Sequence, residues 1–157
     1  MRVTVIGTGY VGLVTGVCLA HIGHEVVCVD SSAERVTDVA NGRIPFHEPG
    51  LAEMLAAALD AGNFRASTDA LAAVAGAQVT ILAVGTPSRG GDIDLGFIQS
   101  AAEDVAEGMT RGEGYHVVVV KSTVVPGTTG KVVGRIIAER SRRKAGEFGL
   151  CMNPEFL

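Results

Sequence analysis

Short runs of β-branched and aliphatic residues stand at residues 3–6, 26–29, 79–84 and 117–120. Runs of this length, with little apolar–polar alternation, suit strands covered on both faces, as in a parallel sheet. Weaker runs at residues 63–66 and 149–152 predict two more strands. Between the runs the apolar residues change to helical spacing. Residues 11–20 are apolar nearly all round, which predicts a helix packed beneath other elements and stopped by Gly23 in a left-handed cap. Ser31 or Ser32 caps a short helix carrying Val36 and Val39 and ended by Asn41-Gly42. Leu51, Met54, Leu55 and Leu59 repeat at helical spacing after Glu48-Pro49-Gly50, with Pro49 placed near the first turn. A short helix follows Thr68-Asp69 and ends near Gly76. Leu95, Ile98, Ala102, Val105 and Met109 form a stripe with Asp94 as the expected N-cap. Val132, Val133, Ile136 and Ile137 form another after Pro126-Gly127.

Strands that alternate with helices imply right-handed crossovers. The fold class is therefore α/β: a Rossmann-type doubly wound parallel sheet of about six strands in the order 3-2-1-4-5-6, with helices on both faces. One domain spans residues 1–157. Arg89-Gly90-Gly91-Asp92 reads as an exposed loop tip.

Composition narrows the class. Hydrophobic residues make up 47% of the chain and aromatic ones only 4%, without Trp, so the core must be aliphatic. The net charge of −4 speaks against a basic nucleic-acid-binding face. The one basic run, Arg140, Arg142, Arg143 and Lys144, reads as a solvated helix end. Cys18, Cys28 and Cys151 are odd in number and lack CxxC spacing, as expected of buried, reduced thiols in a cytoplasmic protein. The glycines at 7, 9, 12 and 16 interrupt the first apolar stretch, so neither a signal peptide nor a membrane span is expected.

The chemistry begins at Gly7-Thr8-Gly9-Tyr10-Val11-Gly12, a G-x-G-x-x-G loop that follows a predicted strand and opens a predicted helix. Gly7 permits the sharp turn, Gly9 lets a pyrophosphate approach the backbone, and Gly12 lets the helix pack close to the strand. The helix-start amides around Tyr10 and Val11 then face the phosphates. Asp30 ends the second strand, where a carboxylate accepts hydrogen bonds from the adenosine ribose and repels a 2′-phosphate. Arg35, one turn into the next helix, is a cation that suits a 2′-phosphate, but Asp30 is the better placed, and the expected cofactor is NAD. Thr86 and Thr123 follow the third and fourth of the strong runs, at strand ends that would meet the nicotinamide half. His21 with His24, and Asp92 with Asp94, lack the further ligands a metal site needs, so no metal is expected. Glu103, Asp104 and Glu107 read as a solvated helix face.

With these residues in view, the chain resembles the N-terminal half of the UDP-glucose/GDP-mannose dehydrogenase family. The resemblance rests on Gly7-Thr8-Gly9-Tyr10-Val11-Gly12-Leu13, Glu48-Pro49-Gly50-Leu51, Val84-Gly85-Thr86-Pro87, Lys121-Ser122-Thr123-Val124 and Asn153-Pro154-Glu155-Phe156-Leu157, in order along the whole chain. It implies oxidation of the C6 alcohol of a nucleotide sugar to a carboxylate by two successive hydride transfers to NAD, with a cysteine holding the intermediate aldehyde as a thiohemiacetal. It implies cofactor contacts at Gly7, Gly9, Tyr10, Val11, Gly12, Asp30, Arg35, Thr86, Thr123 and Glu155, catalytic roles for Thr123 and Glu155, and substrate contacts at Glu155, Phe156 and Leu157. The family continues beyond the last motif with a dimerising helix and a second, UDP-sugar-binding domain. Its catalytic Lys, Asn, Cys and Asp lie there, and none of the three cysteines here matches the catalytic position. The chain is thus expected to bind NAD but to turn over nothing alone, within a homodimeric whole. The stretch Arg43-Ile44-Pro45-Phe46-His47-Glu48-Pro49 resembles UDP-glucose enzymes, and UDP-glucose is the expected substrate. Val125-Pro126-Gly127-Thr128-Thr129 resembles GDP-mannose enzymes, so GDP-mannose stands as an alternative. A non-catalytic NAD(H)-sensing Rossmann module is the other, and the motif from Asn153 to Leu157, which a sensor does not need, speaks against it.

Overall fold

The computed structural model describes residues 1–155. Six strands form one parallel sheet: β1 (Arg2–Ile6), β2 (Glu25–Val29), β3 (Phe64–Ser67), β4 (Val79–Leu82), β5 (His116–Val120) and β6 (Phe148–Met152). Their order is 3-2-1-4-5-6, with β1 paired to both β2 and β4. The chain therefore reverses its direction of winding at the β1–β4 seam, and the ends of those strands form a topological switch point. The helices are α1 (Tyr10–His21), α2 (Ala33–Ala40), α3 (Leu51–Asp60), α4 (Ala70–Ala75), α5 (Gly96–Arg111) and α6 (Gly134–Ser141).

Both faces of the sheet are covered by aliphatic layers. One layer packs Val5, Leu13, Val17, Val26, Leu51, Leu55 and Phe64 beneath α1 and α3. The other packs Leu82, Ile98, Val105, Met109, Val118, Val120 and Ile137 beneath α5 and α6. Helix α1 sits close to the sheet because glycine lies on its inner stripe. A Cβ at Gly16 would collide with the Cys28 sulfur, and one at Gly12 with the carbonyl of Gly7.

Several local expectations need correction. Strand β4 stops at Leu82, two residues earlier than the apolar run, because the chain turns away at Ala83 to form the cleft described below. Strand β3 begins at Phe64, with Asn63 ahead of it. The Arg89-Gly90-Gly91-Asp92 tip is a hairpin whose two glycines hold φ of +63° and +93°, as a tight two-residue turn requires. Ser32, rather than Ser31, caps α2 by accepting from the Arg35 amide. Helix α6 is entered through a wide π-type turn, Thr129–Val133.

The basic run is not simply solvated. Helix α5 ends at Gly112 in an extended conformation, which leaves its last carbonyls without a backbone cap. Arg143 fills that need by donating to the carbonyls of Met109, Gly112 and Gly114. Arg140 reaches across to Glu103 at 2.6 Å, so that part of the acidic face is paired as well.

Only one of the thiols is buried. Cys28 lies within β2, and burial pushes its thiol far up. Cys18 is exposed because it falls off the inner stripe of α1, and Cys151 is exposed on the edge strand β6. Among the described residues no helix is long and apolar enough to cross a membrane.

Candidate functional site

The site grows from the C-terminal ends of β1, β4 and β5. Gly7 leaves β1 at φ +104°, and a Cβ there would lie 2.6 Å from the Ala83 carbonyl oxygen. The turn therefore needs glycine for conformation and for space. Gly9, the N-cap of α1, has no side-chain cap, and the first helical turn holds no acidic residue. Ser32 caps α2 and Asp69 caps α4, whereas the N-cap residues of α3 and α5, like that of α1, give no side-chain cap; of these three helices only α1 opens into the cleft described below. The first-turn amides of α1, Tyr10 to Gly12, thus have no intrahelical acceptor. A Cβ at Gly9 would meet nothing within 4 Å. Open space, free amides and the positive end of a helix dipole together fit a pyrophosphate.

Asp30 flanks this loop on the β2 side and is buried, at 8% exposure. Its Oδ2 accepts from the Thr8 amide at 2.9 Å and the Thr8 hydroxyl at 2.6 Å, and its Oδ1 accepts from the Ser32 amide at 3.0 Å. Arg35 stands 3.7 Å from Oδ2. Burial is the largest influence on this carboxyl and raises its pKa. The hydrogen bonds from Thr8 and Ser32 and the Arg35 charge together outweigh burial and hold it below the ordinary carboxylate value. Asp30 is thus an oriented anion at the end of β2, where a ribose carboxylate belongs.

On the other flank, a cleft of about 340 Å³ is lined by Gly9, Tyr10, Val11 and residues 83–86, closed by Lys121, Ser122, Thr123 and Glu155. Its outer rim is joined by side chains. The Thr86 hydroxyl donates to the Thr123 carbonyl at 2.8 Å, and the Thr123 hydroxyl donates to the Glu155 carbonyl at 2.6 Å. Ser122 donates to the Val84 carbonyl at 2.6 Å. Lys121 reaches Glu155 Oε2 at 2.8 Å with its own side chain only 13% exposed.

The structure thus brings Gly9, Tyr10, Val11, Thr86, Thr123 and Glu155 into one cleft, with Gly7 and Gly12 shaping its floor. Asp30 and Arg35 stand outside its lining, at the adjoining strand end. Phe156 and Leu157 lie outside the described residues. Three contributors escaped the sequence reading: Thr8, Lys121 and Ser122. Thr8 sits at an unspecified position of the glycine motif. Lys121 and Ser122 precede Thr123 within a motif, but only their spacing to Glu155 and Val84 in space reveals a task. Among the described residues no group of His, Cys, Asp and Glu side chains is arranged to hold a metal ion.

The family model of the UDP-glucose/GDP-mannose dehydrogenase family, NAD binding domain, matches residues 1–157. The GDP-mannose 6-dehydrogenase of Azotobacter vinelandii is 43% identical over 100% of this chain, which covers 36% of that protein. The UDP-glucose 6-dehydrogenase of Rhizobium meliloti (strain 1021) is 45% identical over 100% of the chain and 35% of its own length. A solved ternary complex of GDP-mannose dehydrogenase from Pseudomonas aeruginosa superposes with a TM-score of 0.96 at 41% identity, over 100% of this chain and 36% of that one. The chain therefore spans little more than a third of the length of these relatives.

Proposed function

The chain belongs to the UDP-glucose/GDP-mannose dehydrogenase family as its NAD-binding domain, and from that premise we propose that it holds the cofactor for C6 oxidation of a nucleotide sugar, with UDP-glucose as the substrate. The observation that carries this reading is the uncapped start of α1 over Gly9, set between the Asp30 anion and the Thr86–Thr123–Glu155 rim.

Gly9, Tyr10 and Val11 would hold the pyrophosphate through backbone amides. Asp30 would accept from the adenosine ribose through a remaining lone pair, and its charge disfavours a 2′-phosphate, which supports NAD over NADP. Arg35 leans on the same carboxylate and steadies it. Bound NAD supplies the hydride acceptor for the oxidation. Thr86 and Thr123 set the wall on which the nicotinamide half rests. Glu155, tethered by Lys121 and Thr123, presents a carboxylate at the mouth of the cleft, where it accepts a hydrogen bond or proton from the sugar alcohol. Phe156 and Leu157 would extend that contact to the sugar nucleotide. In this reading the rest of the catalytic set, the dimer contacts and most sugar-nucleotide contacts come from chain beyond this domain.

UDP-glucose is supported by the residues 43–49 stretch and by the Rhizobium relative. GDP-mannose is the second reading, favoured by Val125-Pro126-Gly127-Thr128-Thr129 and by the Azotobacter and Pseudomonas likenesses. The test is NADH formation by the polypeptide carrying this domain, supplied with each sugar nucleotide in turn. UDP-glucose is expected to give two NADH per sugar. Turnover of GDP-mannose alone would reverse the substrate assignment, and turnover of neither would remove both assignments.

A further inference from the structure

One motif remains without a task. In Glu48-Pro49-Gly50-Leu51, Gly50 holds φ +79° and caps α3, while Leu51 is buried at its start. Both serve the helix. The Glu48 side chain does not, because α3 has no side-chain cap. Its carboxylate instead crosses to the glycine loop, where the Tyr10 phenol donates to Oε2 at 2.6 Å.

We propose that Glu48 and Tyr10 form a strap that positions the first turn of α1 for the cofactor's pyrophosphate, which makes Glu48 a positioning residue for cofactor binding. This rests on the reading of the cleft as the NAD site.

The geometry carries the argument at three points. Tyr10 is the first residue of α1 and lines the cleft, and its own amide is among those offered to the ligand. Its ring packs at 5.0 Å, tilted, against Phe46, and its hydroxyl is tied to Glu48, so the side chain is held at both ends. The segment that supplies both contacts is itself anchored. Arg43 bonds Asp38 at 2.6 and 2.9 Å, Ile44 and Phe46 pack on the α1–α3 core, and the Leu51 amide donates to the Glu48 carbonyl. A side chain fixed this way restrains its own backbone. In a helix start with no cap, that restraint falls on the amides that meet the phosphates. The hydrogen bond to Glu48, then its charge, and then slight burial raise the Tyr10 phenol above its ordinary pKa, consistent with a retained donor.

The experiment is calorimetric titration of the chain with NADH and with ADP-ribose, in wild type, Tyr10→Phe, Glu48→Ala, Glu48→Gln and the Tyr10→Phe/Glu48→Ala pair. One hydrogen bond's net contribution predicts a loss of about threefold to tenfold in Tyr10→Phe and in Glu48→Ala. The pair should be no weaker than the weaker single variant, since both remove one contact. Glu48→Gln keeps an acceptor and should bind within about twofold of wild type. ADP-ribose, which carries the pyrophosphate without the nicotinamide, should lose the same factor. A contact that merely steadies the fold would lower the melting temperature and leave these affinities alone. Wild-type affinity in both Tyr10→Phe and Glu48→Ala, or additive losses that Glu48→Gln fails to rescue, would overturn the strap while leaving the NAD site intact. Failure of wild type itself to bind NADH or ADP-ribose would overturn both.

Discussion

The two flanks of the cleft are built by different means. At the glycine loop, backbone does the shaping: Gly7 at φ +104°, Gly12 packed on the Gly7 carbonyl, Gly9 left open, and Asp30 held by two amides and a hydroxyl. At the β4–β5 rim, side chains span the loops: Thr86 to Thr123, Thr123 to Glu155, Lys121 to Glu155. The first flank is a shape that exists only if the fold exists. The second is a set of single bonds, each removable at little cost to the fold. The contrast suits the ligand. A pyrophosphate is read by backbone amides alike in every copy of this motif, whereas the reacting end needs individually placed side chains.

The comparison breaks most visibly at Gly12. Gly12→Ala should destabilise the domain by about 3 kcal/mol, since the Gly7 carbonyl cannot move without opening the turn, and the urea midpoint should fall accordingly. An unchanged midpoint would mean that the glycine flank is not close-packed.

Acid separates the far end of β4 and β5 from the Asp30 corner. His116, buried at the base of β5 and bonded to Thr80 at 2.9 Å, has its pKa pushed down to about 4, mainly by burial, against a hydrogen bond with Ala77 and with Arg143 adding to the fall. The folded state thus prefers the neutral ring. The stability this confers is complete above the ordinary value of about 6.5 and is lost as pH falls toward 4, a swing on the order of 3 kcal/mol. Asp30 is shifted in the same direction, but its shift favours the charged form and acts in a lower pH window. Its contribution is complete above the ordinary carboxylate value of about 3.9 and is lost only as pH falls through its lower folded value. Hydrogen exchange should therefore rise at β4 and β5 first as pH drops from 6.5 to 4, with the Asp30 corner still protected. Simultaneous loss would deny the separation.

Smaller effects test each flank alone. Gly9→Ala, at φ −68° and with no neighbour within 4 Å, should change stability by less than about 1 kcal/mol yet weaken NADH binding at least about tenfold, because the methyl occupies the phosphate's approach. Unaltered binding would remove the pyrophosphate from this loop. Smallest of all, Thr123→Val should cost about 1 kcal/mol or less and release the Glu155 amide, bonded to the Lys121 carbonyl at 3.3 Å, to faster exchange. Unchanged exchange at Glu155 would show that the rim does not depend on that hydroxyl.

Most of the glycine flank was legible in the sequence. A strand run, three spaced glycines and an acid at the next strand end constrain geometry closely, and the strand order follows once that motif marks the sheet as Rossmann-type. The rim was legible only as positions. Thr86 and Thr123 are marked by following strands, but the partners that hold them are fixed by loop geometry with no periodic signature. Arg143 and Cys18 show the same limit. Whether a helix ends with a backbone cap, or on which side of a uniformly apolar helix a thiol falls, is settled by packing and not by local pattern.

The central claim is that Gly9's open amides and Asp30's oriented carboxylate form one site for NAD. Its most direct test is calorimetric titration of the chain with NADH and, in parallel, NADPH, in wild type and Asp30→Ala. Binding of NADH in preference to NADPH, weakened at least about tenfold by Asp30→Ala, is the predicted result, the loss matching a charged hydrogen bond to the ribose. Tighter binding of NADPH, or NADH binding indifferent to Asp30→Ala, would contradict it.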